Sequence, residues 1–401
     1  MTHTAALQVD PATPPPAASA RADARLDVVV HARLVDAEAA WRAVEATGVL
    51  TPYQRYDWVA ALVEAGAEPN GRAAIAVVNR GTVPVAILPL LIERQYGAVR
   101  ARMLGAHQSN SDWILSAPDF QPSPDELRDI FEHVAHAAGG IDLIQLLSQP
   151  ASWQGVTNPV LALPHAPAPS NLYTASIGGT PVPYIEHRFT TKRRSNINRG
   201  RRRLQEQFGP VRLVRVTDAA TLARVQAVFI EQRGARFDEM GVDNIFAQPP
   251  FPQFFRELTT QAFASERPAL CAHALLAGDD IVATSWGAMA GDHYSQYINS
   301  TSSGPAGRYS LMGILVAELM DELTPAGIAT FDMGLGDFDY KIEWTEPQQV
   351  FNSVIPLTLK GQVAAGVTQQ VAALKRLIKQ TPALWNAAKW ARGHIFKLRQ
   401  R

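Results

Sequence analysis

Residues 269–299 read ALCAHALLA, GDD, IVATSWGAM, AGD, HYSQYIN. Three short apolar, β-rich runs are separated by Gly-Asp turns, which predicts an antiparallel meander. The same plan stands earlier in the chain, where AAIAVVN, RGT, VPVAILPLL, a polar break and VRARMLG occupy 73–105. Helical spacing is predicted over 51–64, with a Thr-Pro start, before the first meander, and over 219–237 and 252–265 before the second. A helix over 124–138 and a strand over 141–147 follow the first. After the second come the Gly-rich loop STSSGPAG and the helix RYSLMGILVAELMDEL, with Leu311, Met312, Leu315, Val316, Leu319 and Leu323 on one face. A strand over 328–333 then runs into GLGDFDYKIEW. The two copies share the order of elements more than residues, so the expectation is a duplicated α/β fold with mixed sheets. Its halves are placed at 25–187 and 188–361, and a basic helical tail at 362–401.

Thirty-seven basic residues offset thirty-seven acidic ones, so the overall charge speaks against DNA or a membrane as the main partner. A lone cysteine, Cys271, excludes an internal disulfide and a cysteine-rich zinc site, and no metal is expected. Residues 1–24, rich in Pro and Ala, lack the cationic and apolar regions of a secretory signal and read as a disordered tail. No stretch is apolar for ~18 residues, as a membrane span requires. The expectation is a cytoplasmic protein. The tail places Val371, Leu374, Leu377 and Ile378 at helical spacing beside Lys375, Arg376, Lys379, Lys389, Arg392, Lys397, Arg399 and Arg401. It reads as helices packed on the domain, with peripheral contact at an inner membrane surface as the alternative.

Three segments could carry chemistry. Seven basic residues fall between Lys192 and Arg203, with no acid before Glu206. A solvated helix face is one reading; the other is anion capture by guanidinium forks such as Arg193, Arg194 and Arg201. The loop through Gly304, Gly307, Arg308 and Tyr309 lies between strand and helix, where free N–H groups suit a pyrophosphate, although its spacing is neither a Walker loop nor a dinucleotide fingerprint. In FDMGLGDFDYKIEW, Asp332 and Asp337 could accept a proton, Tyr340 could donate one, Lys341 could hold a developing anion, and Trp344 could contact substrate; a plain turn is the alternative. Asp112, in HQSNSDW, is a candidate substrate contact at the cleft between halves. Cys271, His273 and His293 fall on core strands, and a Cys-His nucleophile is rejected because no orienting acid is placed with them.

With these motifs in their order, the chain resembles GNAT-superfamily acyltransferases of the cellulose and exopolysaccharide biosynthesis type, distant relatives of the Fem peptidoglycan aminoacyltransferases. The resemblance spans 26–359. It rests on TPYQRYDW, VPVAILPLL, KRRSNINRGRRRLQE, SGPAGRYSLMG and, most specifically, FDMGLGDFDYKIEW. It implies a tandem GNAT-like acyl-CoA N-acyltransferase fold, with the donor inserted where two neighbouring strands splay. The loop from Gly304 to Arg308 would bind the pyrophosphate of acyl-CoA, acetyl-CoA being the simplest donor. Backbone N–H groups at Tyr297, Ile298 and Asn299 would polarise the thioester, and Lys341 would match the aromatic-Lys pair of Fem-type enzymes. The implied acceptor is a small molecule or saccharide of the cell envelope. The loop departs from the fuller glycine-rich GNAT signature, which leaves aminoacyl-tRNA as the alternative donor and a non-catalytic binding module as the alternative class.

Overall fold

The computed structural model describes residues 25–390 other than 69, 266 and 389. The expected disordered tail at 1–24 lies outside them, as do Lys389, Arg392, Lys397, Arg399 and Arg401.

Two mixed sheets carry the chain. In spatial order the first holds Leu26–His31, Arg72–Arg80, Val83–Gln95, Ala98–Met103, Leu143–Pro150, Val350–Pro356 and His165–Pro167, with Leu115–Ser116 pairing onto Val83–Gln95. The second holds Val211–Arg215, Leu270–Ala277, Asp280–Ala290, His293–Thr301, Thr330–Leu335, Leu172–Ser176 and Glu346–Gln348. Each meander is antiparallel, and each is followed through a helix, Pro124–Ala137 or Leu311–Leu323, by a strand that pairs parallel with the meander's last strand. The α/β duplication expected from the sequence is present.

The halves do not separate at 187/188 in space. Val350–Pro356, from the end of the second half, pairs antiparallel with Leu143–Pro150 of the first sheet. Leu172–Ser176, from the end of the first half, pairs antiparallel with Thr330–Leu335 of the second. Each sheet is thus completed by a strand that lies beyond the other half's core, and the exchange ties the two together. A shared core reinforces the tie: Trp58, from the first half, meets Phe254 and Tyr297 edge-on at 5.0 Å each. Fully burying large apolar side chains stabilises by about 1.5–3 kcal/mol each, so this seam helps hold the two halves together.

The helix expected over 51–64 is broken. Thr51 and Gln54 close a capping box around a short turn, Pro52–Gln54, and Arg55 is extended before the helix Tyr56–Glu64 begins. Its guanidinium donates to Glu45 and to the Arg267 and Met289 carbonyls of the other half, and these bonds hold the break. The tail helix, Leu359–Gln380, docks small residues, Gly361, Ala364, Ala365 and Thr368, while Arg376 and Lys379 donate to Ala168 O and Ser170 Oγ. Leu359, Val363, Leu374 and Leu377 remain exposed along its outer side. Among the described residues no helix is long and apolar enough to cross a membrane.

Candidate active site

Strands His293–Thr301 and Thr330–Leu335 pair only from His293/Thr330 to Ser295/Asp332. Beyond that point they part. On the other edge, pairing with Asp280–Ala290 slips by one between Trp286↔Ile298 and Gly287↔Gln296, which leaves Tyr297 as a bulge. A bulge bends its strand and re-aims backbone groups. The two irregularities open a cleft of about 630 Å³, within the range of small-ligand sites. Its walls include Tyr297, Ile298, Asn299, Met333, Gly334, Tyr340 and Lys341. Five residues singled out from the sequence, namely Tyr297, Ile298, Asn299, Tyr340 and Lys341, are therefore brought together.

Burial pushes the Tyr340 phenol up, against the opposing effects of the Arg233 guanidinium and a hydrogen bond with Asn299. The phenol therefore stays protonated at neutral pH and can donate. Tyr297, also pushed up by burial, donates to Gln108 Oε1 of the first half. Lys341 is buried, and burial pushes its ammonium down to about 8. Nζ donates to the carbonyls of Leu335 at 2.7 Å and Gly334 at 3.2 Å, so the lysine braces the end of the splayed strand from the cleft wall. Gly334 has φ of 71°, and a Cβ there would meet Asn110 Nδ2 at 2.7 Å, so the strand's exit requires glycine.

The loop expected to hold a pyrophosphate forms a short turn, Pro305–Tyr309, at the cleft's rim. Gly304, Gly307 and Arg308 are exposed there, and Ser302 and Ser303 lead from the loop into the cleft. Arg308 donates to Gln207 Oε1 at 2.7 Å, and the Tyr309 hydroxyl donates to the same oxygen. A Cβ on Gly307 would lie 2.6 Å from Ser302 O, so any side chain displaces the loop.

Other sequence candidates lie elsewhere. Asp332 is buried: Oδ1 accepts from Ser295 Oγ at 2.7 Å and Gly334 N at 2.8 Å, and Oδ2 is bonded to His293. Ser295 spends its proton on Asp332, so Tyr53 donates to Ser295 Oγ at 2.6 Å and itself accepts from Asn110. Asp332 therefore anchors the splay point. Asp337 is exposed and away from the cleft, accepting from Tyr173, Asn171 and Gln380. Trp344 is core, edge-on to Phe189 at 4.7 Å. Arg193 and Arg201 pair with Glu343 and Glu318, acids distant in sequence, and Arg194 with Glu186 just upstream of the helix, so three members of the basic helix tie elements together. Cys271 is buried and its thiol is pushed up to about 12 by burial, which makes it inert as a nucleophile.

Asp112 is not a cleft residue. Its carboxylate accepts from Leu147 N at 2.8 Å in a buried position, and the first half's contribution to the cleft wall is Asn110, two residues earlier. Burial pushes the Asp112 carboxyl up to about 7, against the hydrogen bonds from Leu147 and Ser109. Between about pH 4 and about pH 7 the folded state thus holds a proton that the unfolded chain has lost, so stability falls as pH rises, by roughly 1 kcal/mol per pH unit. Asp112→Asn keeps the acceptor for Leu147 and is expected to flatten this dependence in urea unfolding. Parallel profiles for the two proteins would refute it.

Residues 191–342 match the family described as Acetyltransferase (GNAT) domain. No curated sequence matches the chain. Among solved structures, the chain is similar to FemX, with 11% identity and a TM-score of 0.58, covering 85% of this chain and 99% of that one. It is also similar to the C-terminal domain of a putative lysylphosphatidylglycerol synthetase from Agrobacterium fabrum, with 13% identity and a TM-score of 0.51 over 82% and 94%. A third is L-PGS from Bacillus licheniformis, with 10% identity and a TM-score of 0.50 over 84% and 96%. At such identities these likenesses show the fold alone. Residues 191–342 thus form a GNAT acetyltransferase domain, set within a chain whose two sheets follow a tandem GNAT-like fold.

Proposed function

We propose that the protein transfers an acyl group directly from acyl-CoA, with acetyl-CoA as the simplest donor, to an amine or hydroxyl of a small-molecule or saccharide acceptor used in the cell envelope. The observation that carries this reading is the parting of the strands just past Ser295/Asp332, with the Tyr297 bulge on one side and Tyr340 facing it in the same cleft. The pyrophosphate lies against the Pro305–Tyr309 turn and the thioester enters the splay. Backbone groups at Tyr297, Ile298 and Asn299 polarise its carbonyl. The acceptor nitrogen or oxygen bonds to the carbonyl carbon and the carbon–sulfur bond breaks. Tyr340 gives its proton to the departing sulfur and is reprotonated by the acceptor, so the net change is one proton moved from acceptor to thiol. Lys341 holds the strand end that frames the acyl group. Asp332 and Asp337 take no part as bases, their oxygens being engaged elsewhere. Positioning supplies much of the rate.

An aminoacyl-tRNA donor, as the Fem-type reading of the sequence allows, needs free cations along the basic helix. Four of its arginines are paired, Arg202 with Glu206 one turn on, which leaves Lys192, Arg199 and Arg203 on an exposed stripe, less than an RNA backbone asks for. A non-catalytic module would have no use for a half-buried phenol at the splay.

Calorimetric titration with acetyl-CoA tests the donor. Wild-type protein is expected to bind saturably and Gly307→Ala about tenfold more weakly, a loss of ~1.4 kcal/mol, with unchanged melting temperature because the loop is exposed. No binding by the wild type removes acyl-CoA as the donor; equal binding by the variant removes the Pro305–Tyr309 turn from its site.

A further inference from the structure

The helix Ala219–Met240 buries Leu222, Val225, Phe229 and Phe237. Arg233 stands four residues after Phe229 and four before Phe237, at a position of that face where the spacing requires an apolar side chain. Its guanidinium lies on the cleft wall, over the Phe237 ring at 4.5 Å and beside Phe246 at 5.9 Å. Nη1 donates to Asn299 O at 3.3 Å, and Nε is buried with no hydrogen-bond partner. Among the described residues no carboxylate lies within ion-pair distance of it. Nearby Glu239 is paired with Arg236 at 2.8 Å. A guanidinium keeps its charge in proteins, and a cation drawn out of water without an anion is costly unless a ligand supplies one.

We propose that Arg233 is the anion-recognition residue of the acceptor subsite and that the acceptor carries a carboxylate or phosphate group, gripped by the guanidinium fork. The inference rests on the acyl-transfer reading. Arg233 bonds Asn299, in the strand that would polarise the thioester, and its charge acts on Tyr340. An anion at Arg233 therefore lies beside the reacting end of the donor. The acetyl group has no charge, and the donor's pyrophosphate is assigned to the Pro305–Tyr309 turn. The anion belongs to the acceptor, held so that its amine or hydroxyl reaches the carbonyl carbon. A bidentate contact also fixes orientation, which a lone ammonium does not.

Matched probes test this: glycine against glycinamide for a carboxylate, and glucosamine 6-phosphate against glucosamine for a phosphate. Each is titrated into wild-type protein, Arg233→Gln and Arg233→Lys, with acetyl-CoA binding measured separately on all three. The wild type is expected to prefer the anionic member of one pair by about tenfold or more; the pair that discriminates names the anion. Arg233→Gln is expected to erase the preference and Arg233→Lys to retain part of it, with acetyl-CoA affinity kept within about twofold. No preference in the wild type, including no binding of any probe, overturns the proposal, as does a preference that survives in Arg233→Gln. An Arg233-dependent preference for malonyl-CoA over acetyl-CoA would place the anion on the acyl group and overturn the acceptor assignment. Failure of the wild type to bind acetyl-CoA would count against the transferase reading itself, and is read in its own titration.

Discussion

Replacing Asp332 with alanine is expected to lower the free energy of unfolding by about 3–5 kcal/mol, because the hydroxyl of Ser295, the amide of Gly334 and the ring of His293 all lose a buried charged partner. Asparagine is expected to cost about 1 kcal/mol. Its Oδ1 still accepts from Ser295 and Gly334, and its amide can donate to His293 in the other tautomer. Urea unfolding separates the two variants. Activity then decides between anchor and base. A general base fails equally as asparagine or alanine, whereas an anchor leaves Asp332→Asn within about tenfold of wild-type turnover. Equal loss of turnover in both variants would return Asp332 to the chemistry. The Tyr53 and Asn110 hydroxyl and amide complete the same network from the first half, so the splay point depends on contacts between halves.

The parts of this fold that could be read along the chain are those set by local pattern. The two meanders follow from apolar runs broken by Gly-containing turns, and the helix Leu311–Leu323 from its apolar spacing. The exchange of Leu172–Ser176 and Val350–Pro356 between sheets was not legible, because a short strand's pattern says which faces are buried and not which edge it joins. The same limit governs the site. Tyr340 and Lys341 were found as a motif, but nothing local distinguishes cleft-facing Tyr340 from core Trp344 four residues on. The basic helix looked unbalanced because Glu343 and Glu318 reach Arg193 and Arg201 from far along the sequence. Arg233 is legible in the sequence alone, since a charged residue at a core position of an amphipathic helix is a local signal.

Tyr340→Phe is expected to lower kcat by about 10²–10³, within the range for loss of a general acid, while KM for acetyl-CoA and the melting temperature stay close to wild type. The phenol ring, half-buried against its neighbours, is kept by phenylalanine; only the hydroxyl and its interaction with Asn299 are lost. Thiol release from acetyl-CoA, measured with whichever amine the wild type turns over fastest, gives both constants. The pH profile adds an independent check. The Tyr340 phenol is held above its usual value by burial, so its ionisation does not limit the rate below about pH 10. Lys341 is held down to about 8 and carries its charge below that pH. If the ammonium must brace the carbonyls of Gly334 and Leu335 during turnover, kcat falls as pH rises through about 8, and the fall persists in Tyr340→Phe at the lower overall rate. A Tyr340→Phe variant with unchanged kcat would remove the phenol from the mechanism. A profile flat through pH 8 would leave Lys341 a structural brace whose charge the reaction does not require.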